Sequence, residues 1–175
     1  MEWWSDGARL ETARLWLEPV SRDDRQDVFR EFTPAIATFM YPKPPQDISE
    51  TDEFLSHAVK QNASGTELHL TIRKRDTAEF IGLCGITQLR TATPELGIWL
   101  KQAAHGQGYG KEAIAHLKAW ADEHLDYECL RYPVDRRNIP SRKLAEHLGG
   151  RVVGEYEKMN LSGRMLEVVE YRIYP

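Results

Sequence analysis

The sequence predicts an α/β protein built on a single mixed central sheet of about seven strands flanked by helices. Three observations carry this. The hydrophobic period switches repeatedly between that of a strand and that of a helix. Two runs, Phe80–Thr87 and Glu95–Leu100, are apolar on both faces, as buried central strands are. No internal repeat or low-complexity linker interrupts the chain. Its 175 residues suit one domain spanning 1–175, and a chain of this size buries roughly 70% of its unfolded surface without staples.

The elements follow in order. A first strand is expected near Ala13–Val20, with Leu15 and Leu17 on one face. Ser21 to Asp24 reads as a capping box opening a helix that carries Val28, Phe29 and Phe32. Pro42, Pro44 and Pro45 force a loop. A second capping box, Ser49 to Asp52, opens a helix with Phe54, Leu55, Ala58 and Val59, ended by Asn62 to Gly65. Leu68, Leu70 and Ile72 alternate with polar residues as in a half-buried strand. After a turn at Asp76 to Glu79 the two central strands come next. A helix is expected from Gly108 to about Leu125, with Ile114, Leu117, Ala121 and Leu125 as its core stripe. A short strand, Cys129–Val134, and a short helix, Asn138–Leu148, stopped by Gly149-Gly150, lead to a closing hairpin of Arg151–Met159 and Leu166–Ile173.

Composition narrows the function. A net charge of −4 argues against a nucleic-acid surface covering the whole molecule. The two cysteines, Cys84 and Cys129, sit in apolar runs and read as buried reduced thiols, too few for a disulfide framework. No run approaches a membrane span, and Met1 to Gly7 lacks the basic and apolar regions of a signal peptide. A cytoplasmic protein is the expectation. His116 and His124 stand eight apart on one helix, and Glu112 and His116 four apart, with no further ligand pair nearby, so no metal is expected. Trp3, Trp4 and Trp16 suit either packing or a dimer surface, which leaves a homodimer among the partner readings.

The most informative segment is His105-Gly106-Gln107-Gly108-Tyr109-Gly110-Lys111. A strand runs into a turn with glycine at alternate positions, and the turn opens an amphipathic helix. Glycines let a ligand approach the backbone. The first-turn N–H groups and the helix dipole favour an anion, so a pyrophosphate fits against Gln107, Gly108, Tyr109, Gly110 and Lys111. A Walker loop fails because Glu112 follows Gly110-Lys111. The spacing is also not that of a dinucleotide fingerprint. A flexible turn before a helix is the plain alternative.

At this point the chain resembles the GNAT superfamily, whose acetyl-CoA motif is Gln/Arg-x-x-Gly-x-Gly/Ala, with His105 departing at the first position. Leu10 to Leu15, Glu95 to Leu100, Asn138 to Ser141, and Leu144 with Leu148 to Gly150 are similar to the branch containing RimJ and RimL, the ribosomal-protein N-terminal acetyltransferases. The resemblance implies a GNAT fold whose fourth and fifth strands splay apart. The pantetheine arm of acetyl-CoA would enter there, against the backbone of Ile98, Trp99 and Leu100. It implies direct acetyl transfer to an amine, either a protein N-terminus or a small molecule, with no acyl-enzyme.

Roles follow as expectations. Glu95 is the candidate base, through water, at the start of the strand lining the cleft. Many members take the acid from a tyrosine seven positions beyond the Asn; that position here is Ala145, so Ser141 is the candidate thiolate partner. Serine also commonly satisfies a helix start. Asn138 would hold the pantetheine or cap the helix, and a backbone N–H near Ile98 or Trp99 would polarise the thioester carbonyl. Arg136, Arg137, Arg142 and Lys143 form a basic cluster, read either as a solvated face or as phosphate contacts. The acceptor pocket is assigned to loops such as Phe39–Asp47 and Arg90–Pro94. Pro133 should fall where its strand has parted from Glu95–Leu100. A non-catalytic acyl-CoA-binding module is the alternative, favoured by His105 and disfavoured by Glu95, Asn138 and Ser141.

Overall fold

Leu15 and Leu17 are fully buried, and so are Leu68, Leu70 and Ile72 on the strand paired with theirs, as their alternation requires. The computed structural model describes residues 8–175. Its strands are β1 (Leu10–Glu11), β2 (Leu15–Pro19), β3 (Leu68–Lys74), β4 (Phe80–Thr87), β5 (Glu95–Leu100), β6 (Leu130–Asp135), β7 (Arg151–Met159) and β8 (Met165–Ile173). They form one sheet in the order β1-β2-β3-β4-β5-β6-β8-β7. Neighbours are antiparallel except β5 and β6, which are parallel and paired only at Glu95 opposite Arg131. Those two are the splayed pair the family resemblance implied.

The strand beyond the expected seven is β1. The Thr12 hydroxyl accepts the Leu15 N–H, and the Thr12 N–H donates to the Leu15 carbonyl. This side-chain turn folds Leu10–Glu11 back onto β2. Two residues are too few for alternation to be seen.

The helices are α1 (Arg25–Glu31), α2 (Pro34–Ala37), α3 (Ile48–Ser64), α4 (Tyr109–His124) and α5 (Ile139–His147). The Ser21–Asp24 capping box is present, but it first closes a 3-10 turn. The second box is Asp47 with Glu50, not Ser49 with Asp52. Asp52 instead forms a two-pronged pair with Arg25, 2.7 Å at each contact. The four-residue α2, capped by Thr33 and begun by Pro34, shows no period that the sequence could reveal.

One sheet face carries α4 and α5 over a core that includes Leu17, Ile86, Ile114 and Leu117. The other carries α1 and α3 over Val28, Leu55, Ala58, Phe80 and Leu83. Burying each of the Val, Leu, Ile and Phe side chains among these contributes about 1.5–3 kcal/mol. In β5, strand alternation sends Leu96, Ile98 and Leu100 into the first core and Trp99 into the second.

Pro133 lies where the strand reading placed it. The Arg131 N–H donates to the Pro94 carbonyl at 2.8 Å, on the β5 side. Two residues on, Pro133 faces the same edge, beyond the single paired position, and its ladder neighbour on the other side is Glu170. Its missing N–H therefore removes no bond. Trp3 and Trp4 lie outside the described residues, while Trp16 lies under the guanidinium groups of Arg9 and Arg75. Among the described residues, no helix is long and apolar enough to cross a membrane.

Candidate active site at the strand splay

Gly106 and Gly108 have φ of +76° and +80°, a region that costs other residues about 1–2 kcal/mol. The sequence thus places glycine where the turn needs it. Gly110 is not required in that way, since a Cβ there would make ordinary contact, 3.4 Å from Leu144 and 3.5 Å from Leu100. The start of α4, the end of β5 and α5 converge on that spot. The first bond of α4 runs from the Glu112 N–H to the Gly108 carbonyl, so the N–H groups of Tyr109, Gly110 and Lys111 have no partner within the helix.

The turn is held from behind. Arg14 donates to the Gln107 carbonyl at 3.0 Å and to the Glu112 carboxylate at 2.8 Å, and Thr12 donates to the same carboxylate. Burial pushes the Glu112 carboxyl up, but the bonds from Thr12 and Arg14 bring it below its ordinary value. The carboxylate in the first turn is thereby matched by a cation. Arg14 and Thr12 escaped the residue-by-residue reading, although both belong to the quoted Leu10–Leu15 stretch.

The open edge of β5 faces the splay. Lys101 donates to Ile81 and the Trp99 carbonyl lies against Gly82, so odd-numbered residues of β5 bond toward β4. Leu96, Ile98 and Leu100 direct their backbone groups into the gap. Of the two expected carbonyl polarisers, Ile98 presents its N–H there and Trp99 does not. His105 Nε2 lies 2.9 Å from the Leu100 carbonyl and donates to it, which pins the strand end to the loop.

On the α5 side, Asn138 is the N-cap and accepts the Ser141 N–H at 3.4 Å. The Ser141 hydroxyl is therefore not needed as a cap. It lies 2.7 Å from the hydroxyl of Tyr132 on β6. Burial holds the Tyr132 phenol at about 12, against the pull of Ser141, so it keeps its proton through neutral pH. Tyr132 escaped the sequence reading because an apolar strand position gives no sign of a polar tip. Ala145 is fully buried in the core.

Opposite, Glu95 is only partly buried, with Arg131 at 3.7 Å. Burial nevertheless raises its carboxyl, with Arg131 and Lys158 pulling it back and Glu170 adding to the rise. Arg131 is itself held 2.7 Å from Glu170. In the basic cluster, Arg137 is bound to the buried Asp135 and Arg136 reaches Glu167 at 3.4 Å, so these two arginines serve the fold. Among the described residues, no group of three or more His, Cys, Asp or Glu side chains could hold a metal, and both thiols are free and buried.

The family model of the acetyltransferase (GNAT) domain matches residues 14–151. The chain belongs to the GNAT acetyltransferase family. It is an acyltransferase with acetyl-CoA as its acetyl donor, and the glycine turn, the unpartnered N–H groups of α4 and the splayed edge of β5 fit that donor. The uncharacterized N-acetyltransferase p20 of Bacillus licheniformis is 26% identical over 171 residues, 94% of each chain. A Vibrio cholerae protein provisionally described as a ribosomal-protein-serine acetyltransferase superposes with a TM-score of 0.82 at 19% identity, covering 98% of this chain and all of its own. Mycobacterium smegmatis RimJ, solved with CoA-disulfide, gives 0.80 at 18% identity, covering 91% of this chain and 81% of its own. These two neighbours share the fold of this chain over nearly its whole length.

A cavity of about 190 Å³ opens on the α1–α3 side of β4 and β5 of this GNAT domain. Val28, Phe32, Phe54, Leu83 and Trp99 make it apolar, and Pro42, Lys43 and Pro45 of the expected Phe39–Asp47 loop form its rim. The Arg90–Pro94 loop lines no part of it.

Proposed function

We propose that the chain transfers acetyl from acetyl-CoA directly to a primary amine, which is either a protein N-terminal α-amine or a small-molecule amine. One observation carries the reading. The gap between β5 and β6 has a paired hydroxyl and a glycine cradle on one side, and a carboxyl of raised pKa on the other.

In this reading the N–H groups of Gln107 to Lys111 hold the pyrophosphate, and the β5 edge at Ile98 and Leu100 aligns the pantetheine. Asn138 keeps the α5 start in place beside it. Glu95 takes a proton from the arriving ammonium through water, and the burial that raises its pKa makes it a stronger base than an ordinary carboxylate. The neutral nitrogen forms a bond to the acetyl carbon while the carbon–sulfur bond breaks. The Ile98 N–H stabilises the carbonyl oxygen. The proton that the nitrogen sheds as the amide forms ends on the departing sulfur, relayed or steadied there by the Ser141 hydroxyl, which Tyr132 orients. The free, buried thiols of Cys84 and Cys129 suit a reducing compartment, which supports a cytoplasmic location.

The experiment is thiol release from acetyl-CoA with a library of amines, together with mass analysis of the acceptor. Amine-dependent release with a singly acetylated product is expected. Binding of acetyl-CoA with no release for any amine would favour the non-catalytic module. The feature that favoured the module was His105, and its bond to the Leu100 carbonyl gives that residue a place in the loop.

A further inference from the structure

Glu95, Gly97 and Trp99 occupy the same face of β5, the face toward α1 and α3. Successive members are about 6–7 Å apart along the strand. At the middle position a Cβ would meet nothing within 4 Å. The face therefore has a carboxyl at one end, open floor in the middle and an aromatic wall at the far end. Phe32 and Phe80 flank the Trp99 ring, with centroids 5.0 and 5.9 Å away. Phe54, which also lines the cavity, is 39% exposed and so open to an occupant.

The cavity's size and lining select its occupant. At about 190 Å³ and almost wholly apolar, it exceeds the ~150 Å³ that takes up a benzene-sized group. Glu50 is the carboxylate of its lining, and it is already held by the N–H groups of Gln46 and Asp47. A second ammonium, as in a polyamine, would meet this one carboxylate in a lining that is otherwise mostly apolar. The cavity also continues outward. Phe32, Lys43 and Pro45 are shared with a more polar cavity of about 550 Å³ that reaches Leu161 and Ser162 in the β7–β8 turn. That turn is tied to the rim loop, with the Leu161 N–H donating to the Tyr41 carbonyl at 3.0 Å and Asn160 donating to the Met40 carbonyl at 3.1 Å. An apolar cup followed by a polar channel suits a chain rather than a compact amine.

We infer that the acceptor is a peptide N-terminus whose first side chain is large and apolar. That side chain seats against Trp99, the α-amine lies over Gly97 toward Glu95, and the following residues run out past Lys43. This inference rests on the transfer reading above and specifies its substrate. The test compares tetrapeptides beginning with Phe, Leu, Ser or Gly, together with phenethylamine and spermidine. kcat/KM is measured with acetyl-CoA, and binding by calorimetry is measured with CoA, which cannot turn over. The Phe and Leu peptides should exceed the Ser and Gly peptides and spermidine by roughly 10–200-fold, and should exceed phenethylamine. Phe54→Ala should shrink that ratio, and Gly97→Val should weaken acceptor use while acetyl-CoA still binds. Phe-peptide binding without transfer would support the cavity assignment and sink the transfer reading instead. Transfer that favours Ser, Gly or spermidine would overturn the inference, as would no peptide binding at all. Equal use of phenethylamine would overturn its peptide part.

Discussion

The hydroxyls of Tyr132 and Ser141 lie 2.7 Å apart, joining the buried strand β6 to the first turn of α5. Asn138 already caps that helix, so the pairing leaves the Ser141 hydroxyl oriented by a phenol that stays protonated to about pH 12. Ser141→Ala is expected to lower kcat by roughly a hundredfold with little change in acetyl-CoA affinity. Tyr132→Phe should lower it less, because it removes orientation and not the donor. Rapid-quench kinetics with calorimetry on both variants checks this, and an unchanged kcat in Ser141→Ala would remove the acid role.

The glycine turn makes a sharper distinction. Gly108→Ala forces a side chain into a φ of +80° and should destabilise the loop by about 1–2 kcal/mol and weaken acetyl-CoA binding. Gly110→Ala meets the mobile ends of Leu144 and Leu100 at 3.4–3.5 Å and should be tolerated. Calorimetric titration of both with acetyl-CoA is the check. Equal binding by Gly108→Ala and wild type would contradict the cradle.

The pH dependence tests Glu95. Its carboxyl is raised by burial, so the active, ionised form is lost on acidification at a higher pH than for an ordinary carboxylate. Arg131→Met removes an attraction that lowers this pKa and leaves Glu170 nearby to raise it. The acidic limb of kcat/KM should therefore move to higher pH in that variant. A limb that does not move would place the titrating base elsewhere.

Asp135 governs stability at the far end of β6. It is fully buried and accepts from the Arg137 side chain and from the backbone N–H groups of Arg137 and Glu167. Burial pushes its carboxyl up, but these bonds bring it down to about 2, against roughly 3.9 when unfolded. The stability it contributes is present above pH ~4 and is lost as the pH falls through about 2. Asp135→Asn should cost about 2–3 kcal/mol near neutrality. Urea denaturation should show the gap from wild type narrowing with acidification.

Much of this was legible in the sequence because the signals were local and periodic. The two-faced apolar runs of β4 and β5 marked the sheet centre, and Gly106 to Gly110 marked the anion cradle. Pro133 pointed to the parted strands, since only an edge without ladder partners tolerates it. What was hidden depended on pairings distant in sequence. Thr12 and Arg14 brace Glu112 from about a hundred residues away, and Tyr132 reads as core until Ser141 is placed beside it. The second helix cap lay two residues early because Asp47 with Glu50 and Ser49 with Asp52 are equally good patterns, and Arg25 drew Asp52 away.

The central claim is direct, amine-dependent acetyl transfer across the β5–β6 gap. The most direct measurement is single-turnover mixing of the full chain with radiolabelled acetyl-CoA, with and without a Phe-led peptide. The account predicts that no label stays on the protein in either case, and that thiol and N-acetyl peptide appear together, at rates lowered by Glu95→Gln. Label trapped covalently on the protein before the peptide is added, or release of thiol that ignores the peptide, would contradict it.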